Sequence, residues 1–147
     1  TYSLIWKSPP RKKRESYFQA SQWLINGFKE MGLFLQFGDQ DQNTFSGNCF
    51  STATAADLID QHGCKRIGSA QYWQKGHLLQ HGEILLNPPE ELWRELFQAD
   101  PPKIISLKIS NQEIEELLAK ALFSYWKEID WETLILKEDY LQVIENL

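Results

Sequence analysis

The chain has two cysteines, Cys49 and Cys64, in 147 residues. That is too few for a disulfide framework, and neither sits in a Cys-x-x-Cys pair or a His-rich set with metal-ligand spacing. Apolar runs are a few residues long, Ile84 to Leu86 among them, so nothing reads as a membrane span. There is no basic and apolar leader, no internal repeat and no low-complexity tract. The expectation is a cytoplasmic protein without metal. What is present is a core: 42% hydrophobic residues with six Trp and eight Phe argue against disorder and suit one domain of ordinary size. The chain opens on Thr1 directly in what reads as a strand, which fits a fragment of a longer domain.

The net charge of −5 is unevenly spread: residues 1–37 hold six basic and two acidic residues, net +4, while the far end is acidic. The positive end is dominated by Arg11-Lys12-Lys13-Arg14 beside Pro9-Pro10. Such a run is either a solvated loop or a docking patch for an acidic partner. Nucleic acid is disfavoured, because the run is short, has no interleaved aromatics and lies in an acidic protein.

Tyr2 to Trp6 reads as a strand stopped by Ser8-Pro9-Pro10, and Glu15 to Met31 as a helix with Gly32 placed to cap it. Leu33 to Phe37 returns as a strand, and Gly38 to Asn48 is a polar loop. Leu58 to Gln61 and Cys64 to Ile67 form a hairpin turning at His62-Gly63, and a second turn at Lys75-Gly76 precedes a strand over His77 to Leu86. Asn87-Pro88-Pro89-Glu90-Glu91 starts a helix to Phe97 with Asn87 as cap. Ser110 and Glu113 form a capping box. Ile114, Leu117, Leu118, Ala121, Leu122, Tyr125 and Trp126 then make one apolar stripe. A strand over Trp131 to Leu136 and a helix over Glu138 to Asn146 complete the reading. The expected fold is α+β, a mixed sheet flanked by helices. Pro101-Pro102 divides a main body, 1–100, from a small C-terminal α/β appendage, 101–147.

The chemistry concentrates in Lys65 to Asn87. Lys65 precedes Gly68-Ser69-Ala70, whose small side chains let a ligand approach the backbone; it either snorkels outward or meets a carbonyl or phosphate oxygen. Cys49 opens the segment after the polar loop. A thiol attacks acyl groups as the thiolate, which a nearby ammonium favours, so Cys49 and Lys65 make a sensible pair. His81 is either a rival base or an ordinary strand histidine. Cys64, beside Lys65 in an extended strand, is expected on the opposite face. Ile84 to Leu86, with Gly68 to Ala70, are expected to line a narrow apolar tunnel.

Lys65-Arg66-Ile67-Gly68-Ser69-Ala70-Gln71, then Gln74-Lys75-Gly76, then Leu79-Gln80-His81-Gly82-Glu83-Ile84-Leu85-Leu86 resembles the ordered K-x-x-G-S-A-Q, Q-K-G and L-Q-H-G-x-I-L-L series of the lipoate–protein ligase and octanoyltransferase family. Thr1-Tyr2-Ser3 is similar to that family's strand entry. The resemblance implies that Lys65 contacts the acyl group or acyl-adenylate and that Cys49, as in the transferase branch, carries an acyl thioester. It also implies substrate binding by Gly68, Ser69, Ala70, Gln71, His81 and Gly82. The family's R-R-x-T-G-G-G loop should precede Thr1-Tyr2-Ser3 and is not in this sequence, so a further N-terminal segment of the same domain is expected to complete the groove.

Three functions stay open. The first is transfer of an octanoyl or lipoyl group through a Cys thioester to a lysine of a carrier domain. The second is an ATP-dependent lipoate–protein ligase. The third is a non-catalytic acyl- or carrier-binding module. No Gly-rich triphosphate cradle or metal set is visible, so no cofactor is expected, ATP and magnesium belonging to the ligase reading alone. The implied partners are acyl carrier protein and a lipoyl-domain or glycine-cleavage carrier protein.

Overall fold

The computed structural model describes residues 1–38 and 48–132. Its sheet is built from β1 (Tyr2–Lys7), β2 (Leu35–Phe37), β3 (Leu58–Asp60), β4 (Lys65–Gln74) and β5 (His77–Ile84), and its helices are α1 (Lys13–Glu30), α2 (Glu90–Phe97) and α3 (Asn111–Tyr125). The strand order is β1-β5-β4-β3-β2. The α+β class is as expected, but every pairing is antiparallel, which corrects the expectation of a mixed sheet. The physical reason is the placing of the crossover. α1 does carry the chain between two strands of like direction, β1 and β2, but these form opposite edges, and the β3-β4-β5 meander between them makes every neighbour antiparallel.

The β4–β5 turn falls where the residues put it, whereas the β3–β4 turn is one residue longer than expected, Asp60 pairing with Cys64 across Gln61, His62 and Gly63. Lys75 and Gly76 have φ of 48° and 77°, the left-handed pair that matches the twist of a two-residue hairpin. At the β3–β4 turn the Asp60 carboxylate accepts the backbone N–H groups of His62 and Cys64 at 2.9 and 3.1 Å. α2 departs from expectation: its N-cap position is Pro89, not Asn87, and no side chain caps it. Pro89 has a ψ of 117°, extended rather than helical, so the helix begins at Glu90, and Pro88, which precedes a proline, is disfavoured in a helix as well. Glu90 and Glu91 still occupy its first turn, at the positive end of the dipole. α3 carries the full capping box, with Ser110 accepting from the Glu113 N–H at 3.2 Å and the Glu113 carboxylate accepting from the Ser110 N–H at 2.8 Å.

The core lies between one face of the sheet and the α1–α3 pair. Trp23, Leu24, Phe28, Leu33, Leu35, Leu58, Ile67, Ile114 and Leu118 are buried together. Gly27 lets the two helices approach, since a methyl there would meet Leu118 at 2.8 Å and Ala121 at 3.2 Å. Ile84 and Leu86 pack on this same core, so they do not line a tunnel. Ile84 instead pairs with Ile67 across β4–β5 and lies partly buried against the core. Residues 98–110 are tied to the sheet by Arg66, whose buried guanidinium reaches the Leu85 and Ile105 carbonyls, each at 3.1 Å, and Asp60 at 3.4 Å. Residues 39–47 of the expected loop lie outside the described residues. So do residues 133–147, which hold most of the strand and all of the helix expected near the C-terminus.

Candidate active site

Side chains alternate between the two faces of β4 and β5, and the face away from α1 carries the cleft. Its volume is about 280 Å³, and Cys49, Phe50, Asp57, Lys65, Gly68, Ser69, Ala70, His81, Gly82 and Glu83 line it. Lys65 is the centre of this cleft. Its Nζ donates to the Cys49 carbonyl at 2.8 Å and lies 3.1 Å from Asp57 Oδ2. It also sits 5.7 Å from the centre of the Phe50 ring, within reach of a cation–π attraction.

Asp57 is the residue that sequence reasoning missed. It is buried, and besides Lys65 it accepts the backbone N–H and hydroxyl of Thr54 at 2.7 and 3.0 Å and the Ser69 N–H at 3.3 Å. The β3–β4 ladder shifts register between Leu58 and Ile59, and beyond the shift Leu58 faces Ile67. The next position outward sets Asp57 beside Gly68, where an added Cβ would lie 3.8 Å from Asp57 Oδ1, and this places the acid next to the lysine.

The two motif glycines, which line the cleft, also make room for protein side chains. A Cβ on Gly68 would come 2.9 Å from Lys65 Cε, so its absence leaves the channel in which the lysine lies. A Cβ on Gly82 would strike the Tyr2 ring and come 2.8 Å from the Gly68 carbonyl. Cys49 is exposed and is held from both sides. Asn48 Oδ1 accepts the Phe50 N–H at 2.9 Å, and the Phe50 ring meets buried Trp93 of α2 at 6.1 Å. The lysine therefore touches the backbone of Cys49. His81 is exposed, its Nδ1 2.9 Å from Ser3 Oγ and its Nε2 3.9 Å from Glu83.

Gln71 does not join the cleft. It points toward α1, in a hydrogen-bonded chain whose direction can be read from one end. The Trp73 indole N–H, a donor only, meets Gln71 Oε1 at 3.3 Å, and the Ser16 hydroxyl, which donates to the Lys13 carbonyl at 2.8 Å, lies 3.0 Å from the same oxygen. Gln71 Nε2 must then face Gln80 Oε1, at 2.8 Å, and Gln80 Nε2 donates to Tyr2 at 2.8 Å and Ser21 at 3.0 Å. Burial raises the Tyr2 pKa, and its hydroxyl shares a hydrogen bond with Ser69 Oγ at 2.8 Å. Cys64 is also away from the cleft, its Sγ 3.9 Å from the Lys103 carbonyl. Burial pushes its thiol pKa up, Asp60 adds to this, and Arg66 opposes. A second cavity, about 450 Å³, lies between the start of α2 and residues 100–106. Its Arg94 is already paired with Glu90 and Asp100 at 2.9 and 2.7 Å.

No family model matches the chain. It is 33% identical to the octanoyltransferase LipM of Geobacillus kaustophilus over 132 residues, which covers 82% of this chain and 44% of that protein. It is 30% identical to the octanoyltransferase LipM of Bacillus cereus over 176 residues, covering all of this chain and 63% of that protein. Among solved structures, the bi-partite lipoate protein ligase from Thermoplasma acidophilum, described with its E2 lipoyl domain, matches with a TM-score of 0.66 at 14% identity. That match covers 98% of this chain and 57% of that one, and at this identity it shows the fold alone. The chain spans about half the length of the curated relatives it matches. Among the described residues no helix is long and apolar enough to cross a membrane.

Proposed function

Because the chain belongs to the lipoate–protein ligase and octanoyltransferase family, we propose that it forms part of an acyltransferase that moves an octanoyl or lipoyl group to a lysine of a lipoyl carrier domain. Cys49 carries the acyl group and Lys65 binds its carbonyl oxygen. The observation that supports this reading most is the state of Lys65. An ammonium has three N–H donors; one meets the Cys49 carbonyl and one the Asp57 carboxylate, which leaves one for an acyl oxygen in the cleft. A fixed donor at that point strengthens as the oxygen gains charge in the tetrahedral state.

The steps balance as follows. The Cys49 thiolate adds to the carbonyl carbon of a thioester donor, the donor's C–S bond breaks, and its sulfur leaves as a thiol after taking a proton. The amine of the carrier lysine then attacks the Cys49 thioester, loses a proton and displaces the thiolate, giving an amide. No ATP and no metal enters this sequence. The donor is acyl carrier protein, and the acceptor is a lipoyl-domain or glycine-cleavage carrier protein. The rest of the groove is supplied by residues outside this chain, as the greater length of the relatives suggests. A thiol that must stay reduced suits the cytoplasm.

The test is transfer of octanoate from a thioester donor to a lipoyl-domain lysine by the intact native protein, without nucleotide. Transfer at full rate is expected. A strict requirement for ATP and magnesium would instead establish the ligase, and binding of the carrier without transfer would establish a non-catalytic module.

A further inference from the structure

The end of the sheet opposite the cleft has a charge that the acyl chemistry does not use. β1 ends at Lys7, paired with His77, and the Ser8 N–H donates to the Gly76 carbonyl at 2.9 Å. The chain leaving β1 thus touches the Lys75-Gly76 turn before Arg11-Lys12-Lys13-Arg14 leads into α1. Lys7, Arg11, Lys12, Lys13, Arg14 and Lys75 are all exposed, and none joins an ion pair among the described residues. Lys13 and Arg14 occupy the first turn of α1, where the helix dipole disfavours cations. Six cations without an ion pair among the described residues thus lie on the two segments that this hydrogen bond joins, in a protein of net charge −5.

From this end of the strands one exposed face runs to the cleft. In register across β1, β5 and β4 lie Ile5, Leu79 and Tyr72, which are 75%, 37% and 61% exposed. One row further are Ser3, His81 and Ala70, of which the last two line the cleft. An open apolar row therefore joins the basic end to the site.

We propose that the basic end docks an acidic carrier protein that delivers the acyl thioester on a long flexible prosthetic arm, with the arm lying over Ile5, Leu79 and Tyr72. This rests on the acyl-transfer reading above and assigns its donor surface. Distance selects the donor over the acceptor. From His77 to Gly82 the strand advances about 17 Å at about 3.3 Å per residue, farther than a lysine side chain reaches. A carrier that presents its own lysine must sit at the cleft mouth, whereas one with an extended arm can dock at the far end. Charge complementarity of this kind steers encounter and weakens as salt rises.

The experiment compares two donors in the intact native protein: octanoyl-acyl carrier protein and the small thioester octanoyl-pantetheine. In an Arg11→Glu, Lys12→Glu, Lys13→Glu variant, KM for the carrier-bound donor is expected to rise about tenfold or more. Its kcat, and both constants for octanoyl-pantetheine, should stay at the wild-type value. The wild-type KM for the carrier should rise with ionic strength and the variant's should not. A Lys75→Glu variant should move KM the same way by less. An unchanged carrier KM would overturn the proposal, as would an equal loss with both donors, or a variant that loses only affinity for a nucleic-acid duplex. A wild-type protein that transfers from neither donor would overturn the acyl-transfer reading itself, a different result from a docking failure.

Discussion

The β4–β5 hairpin presents two faces made by the same residues in alternation, and they are built to opposite ends. Toward α1, Gln71, Gln80, Tyr2, Ser16 and Ser21 are joined by hydrogen bonds that reach Ser69 at the edge of the cleft. Toward the cleft, Lys65 and Asp57 are fixed, while Ala70, His81 and Glu83 stay exposed. One face thus spends its polar groups on each other, which makes the hairpin rigid, and the other keeps a donor of Lys65 available. Rigidity behind a site is what holds a reacting geometry within tolerance.

Substitutions on the two faces should therefore separate activity from stability. The largest effect is expected for Lys65→Ala, which should lower kcat/KM for transfer by about a hundredfold. Asp57 keeps its bonds from Thr54 and Ser69, so circular dichroism should still report the fold; retained activity would remove Lys65 from the chemistry. Gln80→Leu should act on the other side. It strands the Gln71 amide and removes the donor to the Tyr2 and Ser21 hydroxyls, costing about 2 kcal/mol in a urea titration, with kcat nearly unchanged below the transition. If activity fell and stability did not, the two faces would not be divided as described. Ala70→Trp should fill the cleft and raise KM for octanoyl donors about tenfold with little change in Tm, and wild-type KM would place the acyl chain elsewhere. The smallest effect is expected for Cys64→Ser, within about 0.5 kcal/mol and with near wild-type transfer, as measured by thermal melting and initial rates.

Much of this division was legible in the residues. The turn at Lys75-Gly76 sets the β4–β5 register, and that register brings Gly68, Ser69, Ala70, His81 and Gly82 to one place. The roles within it were less legible. The glycines read as room for a ligand, and their further part in making room for Lys65 and the Tyr2 ring was not visible, because a missing side chain does not say which neighbour fills the gap. Gln71 read as a site residue because it stands in the motif; strand alternation from Ser69, which faces Tyr2, turns it toward α1 instead. Asp57 was passed over because a lone acid before a strand has no local pattern, and only the hairpin register brings it to Lys65. The sheet's antiparallel order escaped for a similar reason. The helix between Tyr2–Lys7 and Leu35–Phe37 is visible in a periodic pattern, but the insertion of three later strands between those two is a long-range choice.

The central claim is that the exposed thiol at the cleft, and not the half-buried one outside it, becomes acylated. The most direct measurement is peptide mapping by mass spectrometry of the intact native protein after incubation with octanoyl-acyl carrier protein. One octanoyl group is expected on the peptide containing Cys49, removable by hydroxylamine, absent in Cys49→Ser and retained in Cys64→Ser. An octanoyl group on Cys64, or a Cys49→Ser protein that transfers at the wild-type rate, would contradict the account.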